Sequence, residues 1–371
     1  MHNMRIAYMV HLNMGPDSGV FKKIISQINV WLQYSDVKIF IITRCLDESI
    51  KKYYNFDSAI YTYQNRSIAY RSRITAFERA VNDIIAWNPD VIYTRQDHYY
   101  PPVKQLAINN ALVIEVNTNF MKEVRMYSRL KWLYSLASSR IILSKAAGLV
   151  FVCSELAQEY QYRKYNKPYT LIGNGFPIEE VKTLPPNNTD TVRLVFIGQA
   201  GCSWHGVDKI IRLANLCPGW EFELIGISQS EIDGSAPTNL HLHGKLNRSQ
   251  YEQILQISDC AIGTLALHRN GMKEASPLKV REYLAYGLPV IIAYEDTDFP
   301  NGASFLLKLP NCEDNIDNNI QLIQNFVNQW KGKRVPRNEV MHLSTWQKES
   351  KRLDFFRQVI NRRNCSETNR D

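Results

Sequence analysis

Short apolar runs alternate with longer stretches of helical periodicity along most of this chain. Arg5 to Val10 is apolar on both faces and too short for a helix, which predicts a buried strand. Val20, Phe21, Ile24, Ile25, Ile28, Trp31 and Leu32 then recur three and four residues apart, the spacing of one helix face. Val37 to Ile42, Val91-Ile92-Tyr93, Leu112 to Val116 and Leu149 to Val152 are further strands. The alternation restarts near residue 194. Leu194 to Ile197, Phe222 to Ile225, Cys260-Ala261-Ile262 and Val290 to Ala293 read as strands. Val207, Ile210, Ile211 and Ala214, then Tyr251, Ile254 and Leu255, mark helices among them. Apolar strands separated by helices predict an α/β protein with doubly wound parallel sheets, covered on both faces. A length of 371 residues suits two such domains. Pro185 to Asp190 is polar, carries prolines and lacks periodicity, so it is the best linker candidate. The expected domains are 1–180 and 190–340. A last helix is expected over about Thr345 to Arg362, with a disordered tail from Asn364 to Asp371.

One stretch stands apart chemically. Lys273-Glu274-Ala275-Ser276-Pro277-Leu278-Lys279-Val280-Arg281-Glu282 runs into Tyr283-Leu284-Ala285-Tyr286-Gly287-Leu288-Pro289-Val290. Ser276 suits a helix N-cap, Pro277 the first helical position and Gly287 the helix end. Free N–H groups at such a start attract phosphate. Glu274 and Glu282, with seven residues between them, lie astride that start and can accept hydrogen bonds from sugar hydroxyls. Phosphate flanked by sugars describes a nucleotide-sugar, and hence a glycosyltransferase. The bland alternative is a solvated helix start with ordinary surface acids.

The stretch resembles the acid-x7-acid motif of retaining glycosyltransferases of family 4, whose fold is GT-B: two Rossmann-like domains facing a cleft. The resemblance implies that residues 1–180 bind the acceptor, with the last helix crossing back to pack on them, and that 190–340 bind the nucleotide-sugar. It implies that Glu274 lies near the donor sugar, that Glu282 holds the ribose hydroxyls, and that Ser276 and Leu278 belong to the amide-rich segment facing sugar and phosphate. Phe151 to Glu155 and Leu171 to Pro177 resemble segments that end the family's first domain. Phe196-Ile197-Gly198-Gln199 and Ser203-Trp204-His205-Gly206-Val207-Asp208-Lys209 resemble its strand, glycine turn and helix start. There the family carries an arginine and a lysine for the diphosphate, where this chain has Gln199 and His205. Arg269, Lys273 and Lys279 are expected to substitute. Alternatively His205 is only a turn residue and Trp204 a core anchor. Gly15 and Gly19 match the family's N-terminal glycine loop; a plain strand–helix turn is the alternative. Asn117 stands where relatives often place a histidine facing the sugar, and His98 is the other candidate on the acceptor side.

Composition narrows the setting. Hydrophobic content of 45% permits a sizeable core. Seven scattered cysteines without metal-ligand spacing suggest reduced thiols in a cytosol. The longest apolar runs are far shorter than the ~20 residues of a spanning helix, and no signal peptide is visible. The formal charge of +8 is uneven: residues 1–180 hold 22 basic against 15 acidic side chains, residues 181–371 hold 22 against 21. This suggests an anionic partner for the first domain, with merely solubilising charge as the alternative. On an ideal helix Lys122, Arg125, Arg129 and Arg140 cluster beside Met126, Leu133 and Leu136, a face suited to anionic lipid or merely a solvated edge. No metal or cofactor is expected. Asp296-Thr297-Asp298 imitates a metal signature of another glycosyltransferase fold but follows a strand where GT-B has a loop, and His241 with His243 lacks a third ligand. Nucleic acid is not an expected partner, since aromatic and basic residues are not interleaved. The expected reaction moves a sugar from a UDP- or GDP-linked donor to a glycan or lipid-linked acceptor. The family suggests bacterial surface polysaccharide assembly at the cytoplasmic membrane face. A non-catalytic nucleotide-sugar-binding subunit and a nucleotide-sugar epimerase are the alternatives.

Overall fold

The computed structural model describes residues 3–13, 15, 18–44, 57–64, 69–199, 201–232 and 234–368. The chain divides into two compact units, Met1–Gly173 with Thr345–Asp371, and Asn174–Ser344. Each is an α/β unit around a parallel sheet.

In the first unit the strands are β1 (Arg5–His11), β2 (Asp36–Thr43), β3 (Ser58–Thr62), β4 (Val91–Arg95), β5 (Ala111–Val116), β6 (Gly148–Phe151) and β7 (Tyr169–Leu171). Their order is β3-β2-β1-β4-β5-β6-β7, all parallel. One core lies between β1 and two helices, Gly19–Trp31 and Thr345–Thr368. Ile6, Tyr8 and Val10 alternate along β1 and meet Phe21, Ile24, Ile28 and Trp31 from one helix and Leu353, Phe356 and Val359 from the other. The last helix therefore packs on the first unit, and it runs on to Thr368 where a disordered tail was expected. A buried polar network joins the same elements. Glu115, fully buried on β5, accepts from Lys23 Nζ at 2.9 Å, and Lys23 also donates to Asn117 Oδ1 at 3.0 Å.

In the second unit the strands are β8 (Arg193–Ile197), β9 (Glu221–Ile225), β10 (Leu240–Gly244), β11 (Cys260–Ile262), β13 (Val290–Ile292) and β15 (Leu306–Lys308). Their order is β10-β9-β8-β11-β13-β15, again parallel. A separate two-stranded pair joins β12 (Glu274–Ala275) to β14 (Glu295–Asp296).

The division falls at residue 173, and the segment 174–190 packs with the second unit. Arg337 donates to the carbonyls of Ile178 and Val181. The expected linker is likewise tied down, because Asn187 Nδ2 donates to Asp259 at 3.2 Å and Arg334 Nε to the Pro185 carbonyl at 3.0 Å.

Two local readings change with the structure. The helix after the acid motif is Leu278–Ala285, and its N-cap is Pro277, without a side-chain cap bond. Ser276 cannot cap, since its hydroxyl accepts from the Asn174 N–H and from Arg281, both at 2.8 Å. The basic stretch is not one helix either. Ser128 adopts φ −162°, ψ 115°, ends Phe120–Tyr127 and caps Arg129–Leu143 by accepting from the Lys131 N–H. Lys122 and Arg125 thus lie on one helix, Arg129 and Arg140 on the next. Gly287, at φ +85°, does end its helix in the left-handed region, where an added Cβ would sit 2.6 Å from Thr183 Cγ2.

Candidate functional site

In an open parallel sheet, ligands bind outside the carboxyl ends of the strands where the winding reverses. Strand order places that point between β8 and β11 in the second unit and between β1 and β4 in the first.

In the second unit the connection after β8 is shaped by close backbone approach. Gly226, at φ +84°, would put a Cβ 2.0 Å from the Gly198 carbonyl oxygen, so only glycine fits. The chain then turns through Ser203–His205 and enters the helix Val207–Leu216 at Gly206, φ +75°. The connection after β11 is stitched to this turn. Leu265 N–H donates to the His205 carbonyl and Ala266 N–H to the Trp204 carbonyl, both at 3.1 Å. Arg269 completes the joint, donating to both Asp208 carboxylate oxygens at 2.8 Å, to Glu313 Oε2 at 2.6 Å and to the Ser203 carbonyl at 3.1 Å. Its charge is compensated within the protein, so it fastens the loops.

The helix Leu278–Ala285 is locked onto β8. Tyr283 Oη accepts from the Ile197 N–H at 2.6 Å. Lys279, one turn earlier on the same face, sets its Nζ 4.1 Å from the centre of the Phe196 ring. The His205 ring also packs on Phe196, edge to face, 5.6 Å between centres. Lys279 Nζ and His205 Nδ1 are both shut off from solvent and make no hydrogen bond among the described residues. Burial pushes the Lys279 amine down to about 7. Burial first, and Lys279 second, push the His205 imidazole down to about 3. At neutral pH His205 is therefore uncharged.

The two acids differ in their surroundings. Glu274 is half-buried in β12, whose backbone pairs with β14. Glu282 Oε1 accepts from Tyr251 Oη at 2.7 Å, which fixes one carboxylate oxygen. Lys273 is exposed and Leu278 half-buried at the helix start. Arg281, fully buried, ion-pairs with Asp296 at 2.6 Å and Asp298 at 2.7 Å. The Asp-x-Asp pair is thus matched by a guanidinium. His241 and His243 bond Glu221 at 2.5 Å and Glu223 at 2.6 Å, and no cluster of metal-ligand residues occurs among the described residues.

In the first unit the switch point opens into a cavity of about 340 Å³. The last residue of β1, His11, holds Asp97 Oδ2 at 2.5 Å through Nδ1 and Tyr63 Oη at 2.7 Å through Nε2. Asn13 Nδ2 donates to the same phenol at 3.1 Å. Phe77 and Tyr100 stack at 3.9 Å and give the cavity an aromatic wall. His98 lines it too, bonded through Nδ1 to Ser135 Oγ at 2.8 Å and held by burial below its ordinary pKa. Asn117 is elsewhere engaged: it accepts from Lys23 and donates to Glu115 Oε2 at 2.9 Å. Gly15 lies in open space and accepts from the Ser18 N–H, and Ser18 caps the helix that Gly19 begins. Pro16 and Asp17, between these glycines, lie outside the described residues.

The array His11, Asp97, Tyr63 was not foreseen from sequence. Its members are 86 and 52 positions from His11, and only the strand order brings them together. The one available signal was a histidine ending the first strand, where a Rossmann-like sheet presents its ligands.

No family profile matches the sequence, and no curated protein matches it. Solved structures do match in shape. Sucrose-phosphate synthase from Thermosynechococcus elongatus superposes with a TM-score of 0.70 at 13% identity, over 96% of this chain and 99% of that one. The lipopolysaccharide outer core galactosyltransferase WaaB gives 0.65 at 13% identity, over 97% and 100%. A putative UDP-N-acetylglucosamine 2-epimerase from Listeria monocytogenes gives 0.56 at 12% identity, over 96% of each chain. These likenesses show the fold, GT-B, with two Rossmann-like parallel-sheet units.

Proposed function

We propose that this protein is a retaining glycosyltransferase that moves a sugar from a nucleoside-diphosphate donor, without a metal, to a glycan or lipid-linked glycan. The observation that carries the reading is the meeting of two connections at one switch point. The Gly198–Gly206 turn is stitched to the segment after β11, and that segment runs on through both acids of the acid-x7-acid stretch. Glu274 faces the donor sugar, Glu282 the ribose, and main-chain groups from Ala275 to Leu278 the diphosphate. In a retaining transfer the leaving phosphate oxygen can itself receive the acceptor's proton. The protein's task is then to position reactants and stabilise charge. The cavity of the first unit suits an acceptor sugar ring: an aromatic wall, with His11, Asn13 and Asp97 offering polar groups. The test is a thermal-shift screen of nucleoside diphosphates and their sugars, followed by product analysis in chelator. A donor at 100 times its Kd adds about 2.7 kcal/mol to stability. The product is expected to keep the donor's anomeric configuration. Absence of any nucleotide-sugar binding defeats the proposal; binding without turnover over a broad acceptor panel favours a donor-binding subunit.

An epimerase is the second reading, favoured only by the shared fold of the Listeria enzyme. Incubation with donor alone separates the two, because an epimerase needs no acceptor.

A lipid-linked acceptor is supported by the pair of helices around Ser128. Tyr127 is 77% and Leu130 80% exposed, and Met126, Leu133 and Leu136 are exposed beside them. The buried side of the second helix carries Ser135, Ser138 and Leu143. Lys122, Arg125, Arg129 and Arg140 surround that apolar surface with positive charge. Such a face inserts shallowly among anionic headgroups, each basic residue adding about 1 kcal/mol. Among the described residues no helix is long and apolar enough to span a membrane. The protein is expected to sediment with vesicles containing phosphatidylglycerol and not with phosphatidylcholine alone. The double substitution Leu130→Asp and Leu133→Asp is expected to release it; equal recovery with both vesicle types speaks against this surface.

A further inference from the structure

We propose that Lys279 is the cation that receives the donor's diphosphate, a charge the protein itself leaves unmatched until an oxyanion arrives. The inference rests on the proposed function and deepens it. Its starting point is an imbalance of charge. Other buried cations have carboxylates: Lys23 has Glu115, Arg281 has Asp296 and Asp298, and Arg352 on the last helix has Glu349. Lys279 Nζ has none, and it is closed to solvent against the Phe196 ring. A buried ammonium without a counterion is costly, so such a group either loses its proton or awaits an anion.

The neighbours decide which anion. Lys279 lies at the β8 end, where Gly198 runs close to the His205 ring; a Cβ on Gly198 would lie 3.2 Å from His205 Nδ1. The groups around it are the neutral His205 on the Ser203–His205 turn, the Cys202 thiol before that turn, and the Tyr283 phenol on its own helix. Asp208 and Glu313 are committed to Arg269. No carboxylate is left for Lys279 among these groups. The His205 imidazole Nδ1, which is also buried without a partner, can share a small oxyanion with the amine. The two positions where a cation was expected by resemblance, 199 and 205, are uncharged. The single amine of Lys279 replaces both.

Burial adds a consequence. With its pKa brought down to about 7, Lys279 is largely neutral at pH 8 in the empty protein. A phosphate oxyanion beside it raises that pKa, so binding takes up a proton. Affinity is accordingly strongest below pH 7 and weakens as pH rises through the value of the bound state.

The test uses inorganic pyrophosphate as probe, titrated by calorimetry at pH 8 in two buffers of different ionisation enthalpy. The wild-type protein is expected to bind with net proton uptake. Lys279→Met is expected to bind about 10- to 100-fold more weakly, without uptake. It should also melt no lower than wild type, since it loses an unpaired buried amine. His205→Ala is expected to keep the uptake. Pyrophosphate binding with wild-type affinity and uptake in Lys279→Met overturns the proposal, and so does a wild-type protein that binds no pyrophosphate at millimolar concentration. Nucleotide-sugar turnover unaltered in Lys279→Met would overturn it too, while leaving the glycosyltransferase reading intact.

Discussion

Glu274→Ala is expected to lower kcat by about 10²- to 10³-fold, the scale of losing one preorganised electrostatic group at a reacting centre. The transition state of sugar transfer carries positive charge on the ring. In the proposed function Glu274 lies beside the donor sugar and helps most as that charge develops, so its loss is expected in kcat more than in KM. The substitution leaves the local backbone intact. Glu295 N–H donates to the Lys273 carbonyl at 2.8 Å and Thr297 N–H to the Ala275 carbonyl at 3.2 Å, and neither bond uses the Glu274 side chain. The β12–β14 backbone pairing is therefore expected to survive the substitution. Glu282→Ala provides the contrast. In the proposed function its carboxylate, oriented by Tyr251, serves ribose hydroxyls that do not react, so donor KM is expected to rise with kcat little changed. Steady-state kinetics of the two variants with one donor check both; wild-type turnover in Glu274→Ala would refute the role given to that residue.

What sequence could reveal here depended on how local the cause was. Strands such as β1, β5 and β8 are apolar on both faces because helices cover both sides of each sheet, so composition alone marks them. β7 escaped because it lies at a sheet edge, where Tyr169 and Leu171 are exposed and the apolar signal fades. The Ser276 cap failed for a different reason. Its hydroxyl is taken by Asn174, 102 positions away, and by a buried arginine that no local rule foresees. Arg269 and Lys279 look alike in sequence, two cations flanking one motif. Only coordinates separate them: carboxylates on the neighbouring helix and loop neutralise the first and leave the second without a counterion. The basic face of 122–140 was legible as composition and not as geometry, since one extended serine redirected the chain.

Glu115→Gln is expected to destabilise the first unit by about 3–5 kcal/mol, the cost of leaving a buried charge without its partner. Glu115 has no exposed surface and is surrounded by cations: Lys23 at 2.9 Å, Arg352 at 3.7 Å and Arg95 at 3.8 Å. These attractions outweigh burial and hold its carboxyl well below the usual carboxylate range. Glutamine keeps the shape and an acceptor oxygen but removes the charge. Arg352 retains Glu349 at 2.7 Å; Lys23, only 7% exposed, is left with neutral acceptors, Asn117 and the new amide, and no carboxylate. The effect has a defined pH dependence. A carboxyl whose pKa is depressed by folding stabilises fully above its unfolded pKa of about 4.3, and this stability is lost as pH falls below that value. The difference between wild type and Glu115→Gln should thus be largest at neutral pH and shrink steadily below pH 4.3. Thermal unfolding at pH 7 should show a drop of roughly 10 °C, given about 2–4 °C per kcal/mol for a unit of this size. Equal melting temperatures at pH 7 would mean that water or relaxation already screens these charges. The network would then add nothing to holding the last helix on the β1 sheet.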